Sequence, residues 1–154
     1  MRPKRTATYR YREYQGRTEL RKAAARRLRD AEKLLDAGGL HTHCAAYVAG
    51  YAIKCKLKAI AMEVFDVWTL SDLVKKWNVD DRDVFTHGLE CFAKRLPLYS
   101  RFQQSAVWKD FTGQVNRWRP SWRYMPGNPK DEYRDRSFLE AVKRVYQWLE
   151  ANRG

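Results

Sequence analysis

A short segment near residue 120 combines aromatic and cationic side chains. It contains Trp118, Arg119, Trp122, Arg123 and Tyr124. Aromatic faces stack on nucleic-acid bases and guanidinium groups hold phosphates, so this pattern is typical of an RNA-binding or DNA-binding surface. The same residues also fit a structural role, in which the tryptophans fill one end of the fold and Arg123 pairs with a carboxylate. The sequence leaves both interpretations open.

The charge balance of the chain favours a polyanionic partner. There are 31 lysines and arginines against 18 aspartates and glutamates, which gives a formal net charge of +13. A field of this sign attracts the phosphate backbone of nucleic acid above all. An anionic membrane surface is a competing partner, and a basic protein without a polyanionic partner is the simplest alternative.

Residues 1–17 are basic, contain three tyrosines and show no helical pattern. We predict a basic N-terminal arm, which either binds nucleic acid or is a solvated terminus. Its charges are not followed by the apolar stretch of a secretory signal. The chain has no apolar run of the length, about 18 residues, that a membrane span needs.

The cysteines are odd in number and lack a CxxC motif. Cys44, Cys55 and Cys91 are therefore expected to be reduced, buried thiols rather than a disulfide framework. Together with the missing membrane and export signals, they predict a cytoplasmic protein without a membrane partner.

One cluster of possible metal ligands, His41, His43 and Cys44, does not predict a metal site. On a helix, side chains two positions apart point about 200° apart, and no second ligand pair follows. No glycine-rich phosphate loop and no Ser-His-Asp set is recognisable. The sequence therefore predicts no metal and no cofactor.

Apolar residues at steps of three and four predict the helices that must position these side chains. The first begins at Thr18 and ends at Gly38-Gly39, where glycine permits a left-handed C-terminal cap. Further helices are expected over about residues 41–65, 71–77, 86–96, weakly 103–118, and a last one to about 151. The last helix begins either after Asn128-Pro129 or at Ser137, since both are start signals. No segment alternates with the period of a strand, so residues 18–154 are predicted to form one all-α domain, a single up-down bundle of four to six helices.

The helix from His41 to about Phe65 is apolar on nearly all sides in its first half, which is typical of a central helix in a bundle. Gly50 costs up to about 1 kcal/mol relative to alanine in such a helix, so we expect close packing against a neighbouring helix there. In the second half, Lys54 and Lys58 share one face. We predict that they lie outside the bundle and anchor phosphate groups.

Four segments, in order, resemble HEPN-domain proteins (higher eukaryote and prokaryote nucleotide-binding) of the minimal type. AAYVAGYAIKCKLKAIA resembles the signature helix of that family, and Thr86-His87-Gly88-Leu89 resembles its T-H-x-L motif. Residues 118–124 resemble its W-S-P-x-S-R-Y loop, and FLEAVKRVYQWLE resembles its last helix. The resemblance covers about residues 18–150 and implies a helical bundle that usually forms a homodimer.

The resemblance also suggests a catalytic pair. The ribonuclease branch of the family uses an arginine followed four to six residues later by a histidine, and Arg82 and His87 fit this spacing. Histidine can transfer the protons of metal-independent RNA cleavage while arginine stabilises the phosphate charge. With so many arginines in the chain, about one such pair is expected by chance. His87 also lies at the start of a predicted helix. A histidine at this position can serve simply to cap the helix or to pack against it.

The sequence is therefore consistent with three alternative functions. The favoured one is non-catalytic binding of RNA, DNA or a nucleotide by a HEPN-like protein of a bacterial, archaeal or phage toxin or defence system, often beside a nucleotidyltransferase. Its anchoring residues would be Lys54, Lys58, Arg119, Arg123 and Tyr124. The first alternative is a metal-independent endoribonuclease that uses Arg82 and His87 across a dimer, and the second is a helical oligomerisation scaffold.

Overall fold

The computed structural model describes residues 16–79 and 88–153. Within these ranges the helices are α1 (Arg17–Ala37), α2 (His41–Val64), α3 (Leu70–Trp77), α4 (Leu89–Ala93), α5 (Tyr99–Gln103), α6 (Trp108–Gly113) and α7 (Glu132–Ala151). Three short 3-10 helices are η1 (Val115–Arg117), η2 (Pro120–Tyr124) and η3 (Pro129–Asp131). No strand occurs in the described ranges, and the predicted all-α bundle is confirmed.

The central position of α2 is also confirmed. Nearly every residue of α2 from Ala45 to Met62 is buried, and the helix contacts α1, α7, α4 and η2. Ala24 of α1 and Ala49 of α2 are fully buried. Small side chains at these positions let the helices approach closely, as the dense packing of protein interiors requires.

The ends of the long helices follow local backbone chemistry. Gly38 and Gly39 end α1 with φ angles of 68° and 60°, the left-handed conformation that glycine adopts without a steric penalty. Of the two possible starts of the last helix, the first is the nearer: Asn128 caps η3, which leads directly into α7, and its side chain accepts a hydrogen bond from the Lys130 backbone N–H at 3.0 Å. Ser137 instead lies inside α7.

The stretch expected as one weak helix over 103–118 is broken into α6 and η1, and α5 precedes it. This raises the number of α-helices in the described ranges to seven, more than the predicted four to six. The break after α5 has a local cause, because the Ser105 backbone N–H and hydroxyl both donate to the Phe102 carbonyl, at 3.1 and 2.7 Å. That carbonyl is therefore not available to a continuing helix.

An aromatic cluster holds these short helices against α7. The Phe102 ring is fully buried, and its centroid lies 5.2 Å from Trp108, 4.8 Å from Phe111 and 5.0 Å from Trp148. Such ring pairs stabilise a fold beyond their buried area. The cluster fixes the segment that leads into η1 and η2.

Candidate nucleic-acid interface

Trp118 anchors the segment between η1 and η2 in a groove of α2. Its side chain is 1% exposed, and its indole N–H donates to the Tyr47 carbonyl at 2.9 Å. The ring lies directly over Gly50, where any β-carbon would overlap the indole. Gly50 therefore leaves room for the Trp118 ring. The sequence suggested close packing of a neighbouring helix at this position instead. For Trp118 the structural interpretation of the loop is correct.

Trp122 is held at the next position of the same segment. The half-buried ring lies 5.2 Å from Phe138 and 6.2 Å from His43, measured between centroids. His43 Nε2 lies 3.1 Å from the Trp122 carbonyl oxygen. A carbonyl only accepts hydrogen bonds, so His43 carries its proton on Nε2 and donates it to the loop.

Arg119 has its guanidinium partly engaged by the backbone of its own loop. Nη1 donates to the carbonyls of Asn116 and Trp118, each at 2.7 Å. These bonds fix the turn between η1 and η2, and the residue as a whole remains exposed. Arg119 therefore has a structural role and still presents positive charge to solvent.

Arg123 and Tyr124 point outward at the tip of this segment. The Arg123 guanidinium carbon lies 4.6 Å from the centroid of the Tyr124 ring, which is 75% exposed. Among the described residues, no carboxylate forms an ion pair with Arg119 or Arg123. The expected pairing of Arg123 with a carboxylate is thus not observed in the described part of the chain. A flat ring beside a guanidinium is an arrangement that stacks on a base.

The segment that contains these residues differs from the rest of the chain in its charge. Residues 111–130 contain no aspartate or glutamate, and they contribute Arg117, Arg119, Arg123 and Lys130. We call residues 111–130 the acid-free segment. Its positive charges are not neutralised from within the segment, so they add to a local positive potential.

A cleft of about 460 Å³ lies behind the acid-free segment. It is lined by His43, Arg117, Trp122, Arg134 and Asp135, among others. The volume lies in the range of small-molecule sites, about 300–1,000 Å³. Because Asp131 and Asp135 also line the cleft and balance its two arginines, it offers an aromatic wall for a base rather than a cationic site for a phosphate.

Asp135 forms the floor of this cleft and is buried. Its Oδ2 atom accepts a hydrogen bond from the Thr42 hydroxyl at 2.8 Å, and its Oδ1 atom lies 3.9 Å from His43 Nδ1. Burial raises the pKa of Asp135, while the Thr42 hydrogen bond and His43 oppose this shift. His43 has one nitrogen bonded to the loop and the other facing Asp135. The geometry therefore makes His43 a tie between α2, η2 and α7 rather than an acid or base directed at a substrate.

The expectation that Lys54 and Lys58 lie outside the bundle is wrong. Their exposed fractions are 7% and 6%, and Lys56 between them is 2% exposed. The Lys54 ammonium lies 5.9 Å from the Trp118 ring centroid, and burial lowers the pKa of Lys58 to about 8. The reason is that neighbouring elements surround α2 in its second half as well, and lysine stems pack as apolar chains.

Arg82 and His87 lie outside the described residues, as does Thr86, the expected cap of the helix that begins at Leu89. Of the three cysteines, only Cys55 is buried, whereas Cys44 and Cys91 are exposed. The expectation of three buried thiols is therefore wrong for two of them.

The sequence interpretation missed the cleft residues Arg117, Arg134, His43 and Asp135. They are separated by up to about ninety positions, so no local pattern joins them. One signal was present, namely the absence of acidic residues from 111 to 130.

The described ranges contain no group of three or more His, Cys, Asp or Glu side chains that could hold a metal ion. No helix in them combines the length and the apolar character that crossing a membrane requires. Comparison of the chain with protein-family models, curated proteins and solved structures gives no match.

Proposed function

We propose that this chain is a HEPN-like helical bundle that binds single-stranded nucleic acid, RNA in the first place, without cleaving it. The observation that carries the proposal is the acid-free segment, which presents three arginines and the exposed ring of Tyr124. Stacked bases in a duplex hide their faces, whereas single strands offer them to aromatic side chains. An exposed ring beside a guanidinium therefore favours a single strand over a duplex.

The cleft supports the same function. Trp122 lines it beside two arginines and two aspartates, and its volume is suited to one base of the strand. Because Trp118 and His43 tie the loop to α2, the surface is formed before the ligand arrives. A preformed site avoids the entropy cost of ordering a loop on binding.

Fluorescence anisotropy with a labelled oligouridine across a salt series tests the proposal. We expect log Kd to change linearly with log salt, and Arg123→Gln to reduce that slope by about 0.7, the value for one phosphate contact to a single strand. Tyr124→Ala removes a stacking contact of about 1–3 kcal/mol, so it should weaken binding about fivefold or more. Lys76→Gln, at an exposed position of α3, is the control and should change neither affinity nor specificity.

Two results contradict the proposal. Absence of binding at low salt would leave a protein partner or an oligomerisation scaffold as the function. Cleavage of the RNA that survives EDTA and is lost in His87→Ala would replace the non-catalytic part with the endoribonuclease of Arg82 and His87.

The resemblance to the HEPN family adds a homodimer and a nucleotidyltransferase partner to the proposal. Sedimentation equilibrium of the purified chain tests the first, with a monomer at all concentrations as the contrary result. Co-purification with the product of a neighbouring nucleotidyltransferase reading frame tests the second.

A further inference from the structure

A second cleft, of about 680 Å³, lies at the start of α1, away from the residues discussed above. It is lined by Arg17 and Arg21 of α1, Glu63 at the end of α2, Trp68, and Arg153 beyond α7. We call it the arginine cleft. Three arginines line it, two from α1 and one from the end of the described chain, which concentrates hydrogen-bond donors in one place.

The acidic partners of these arginines are only loosely bound. Arg17 lies 3.4 Å from Asp66, Arg21 lies 3.5 Å from Glu63, and Arg153 lies 3.4 Å from Glu150, all measured between nitrogen and oxygen. By contrast, Arg144 makes two hydrogen bonds to Asp110, each at 2.9 Å. Short, two-pronged contacts are the strong form of an arginine–carboxylate pair.

Two buried donor atoms at this cleft are poorly satisfied. Arg17 Nε has no hydrogen-bond partner among the described residues, and Arg153 Nη1 has only the 3.4 Å ion-pair contact with Glu150 Oε1, which does not meet hydrogen-bond geometry. Glu150, the carboxylate nearest to Arg153, is hydrogen bonded to the Lys56 ammonium. Buried donors are expensive to leave unpaired, so an acceptor with several oxygens would be stabilised here.

Two of these arginines also act on a buried lysine. Burial, Arg153 and Arg21 together lower the pKa of Lys56 to about 8, while Glu63 opposes this shift. Positive neighbours oppose the charged form of a lysine. Arg21 and Arg153 therefore contribute positive potential in this region, beside the carboxylates of Glu63 and Glu150.

Trp68 gives the cleft a flat apolar wall. Its side chain is 65% exposed, although the Arg17 guanidinium carbon lies 3.8 Å from its ring centroid. A guanidinium stacked on one side of an indole leaves ring surface for a second flat group. Nucleotide sites combine such a ring with arginines that hold the phosphate.

We propose that the arginine cleft binds a phosphate monoester attached to a base, that is, a nucleotide or the phosphorylated end of a nucleic-acid strand. Arg17, Arg21 and Arg153 hold the phosphate oxygens, and Trp68 stacks on the base. The site is independent of the acid-free segment, so it adds a second ligand position to the proposed function and does not rest on it.

Isothermal titration calorimetry with AMP, adenosine and inorganic phosphate tests the proposal on the full chain. We expect AMP to bind more tightly than either of the other two. Arg21→Gln and Arg153→Gln should each weaken AMP binding about tenfold or more, because a charge-assisted hydrogen bond is lost. Trp68→Leu should weaken AMP binding but not phosphate binding.

Matched controls separate this site from the loop. Lys22→Gln removes an exposed cation next to Arg21 and should leave AMP binding unchanged, and Tyr124→Ala should do the same. Loss of AMP binding in Tyr124→Ala but not in Arg21→Gln would overturn the proposal, since it would place the nucleotide at the acid-free segment.

The remaining comparisons decide the chemical class and its source. Equal affinity for AMP and inorganic phosphate, unchanged in Trp68→Leu, would contradict the base-stacking part. If a 5′-phosphorylated oligouridine binds with higher affinity than its 5′-hydroxyl form, and Arg21→Gln removes the difference, the ligand is a strand end. If the two strands bind equally while AMP binding depends on Arg21, it is a free nucleotide. No binding of AMP or of the phosphorylated strand would refute the site.

Discussion

Gly50 and Trp118 share a space that has no room for a β-carbon. An ideal Cβ on Gly50 would overlap three atoms of the indole ring. The ring is 1% exposed and its N–H is bonded to the Tyr47 carbonyl at 2.9 Å. Gly50→Ala must therefore displace Trp118 or push the loop away from α2.

Two opposing effects set the change in the free energy of unfolding. Alanine in a helix interior is about 1 kcal/mol more favourable than glycine. Expelling a large buried side chain costs about 3–5 kcal/mol, judged from Trp→Ala and Phe→Ala substitutions. The overlap involves ring atoms rather than a flexible chain end, so the second effect dominates. We expect Gly50→Ala to destabilise the fold by about 2–4 kcal/mol.

Urea unfolding followed by circular dichroism measures this change. Gly113→Ala is the control, since nothing lies within 4 Å of a Cβ at that helical glycine, and it should be neutral or stabilising. In a Trp118→Ala background, Gly50→Ala should stabilise by up to about 1 kcal/mol, because the obstruction is gone. A Gly50→Ala protein as stable as the wild type, or more stable, would refute the packing argument.

Three further substitutions test other parts of the structure. Phe102→Ala should cost about 3–5 kcal/mol in the same unfolding assay, since the ring is fully buried among aromatic partners; a cost below about 1 kcal/mol would contradict the cluster. Burial lowers the pKa of Lys58 to about 8 from an ordinary 10.5, so the unfolded chain binds more protons between these values and stability should rise with pH there. Lys58→Met should flatten that rise, and an unchanged pH profile would argue against burial. Burial raises the pKa of Asp135, so its stabilising contribution is lost as pH rises through the folded value. Asp135→Asn, which keeps an acceptor for Thr42, should therefore gain stability relative to the wild type as pH rises from the ordinary aspartate pKa of 3.8 through the raised folded value, and a constant difference would contradict the shift.

Local signals in the sequence were sufficient for the long helices. The all-round apolar character of residues 41–65 predicts a central helix, and α2 is that helix. Gly38-Gly39 and Asn128-Pro129 mark helix ends because their backbone preferences act within a few residues. Such short-range chemistry is not changed by the packing of distant segments.

The site depended on contacts that short-range patterns do not encode. In the sequence, Lys54 and Lys58 have the character of solvent-exposed charges. Their burial results from the packing of other elements around α2, which no local pattern shows. His43 and Asp135 meet because α2 and α7 pack side by side, although ninety-two positions separate them. Trp118 and Tyr124 are both aromatic residues of one short segment, yet Trp118 is 1% exposed and Tyr124 is 75% exposed. Trp118 is buried because its ring fits the groove above Gly50.

Ultraviolet crosslinking of a 4-thiouridine-containing RNA, with mass spectrometry of the tryptic digest, tests most directly where nucleic acid binds. Trypsin releases residues 124–130 as one peptide, because Arg123 precedes it and Lys130 ends it. We predict that this peptide, which contains Tyr124, carries the main crosslink. Arg123→Gln removes the cleavage site before Tyr124, so the corresponding peptide in that variant is 118–130, and we expect a lower crosslink yield on it. Crosslinks confined to peptides outside residues 111–130 would contradict the assignment of the acid-free segment as the binding surface.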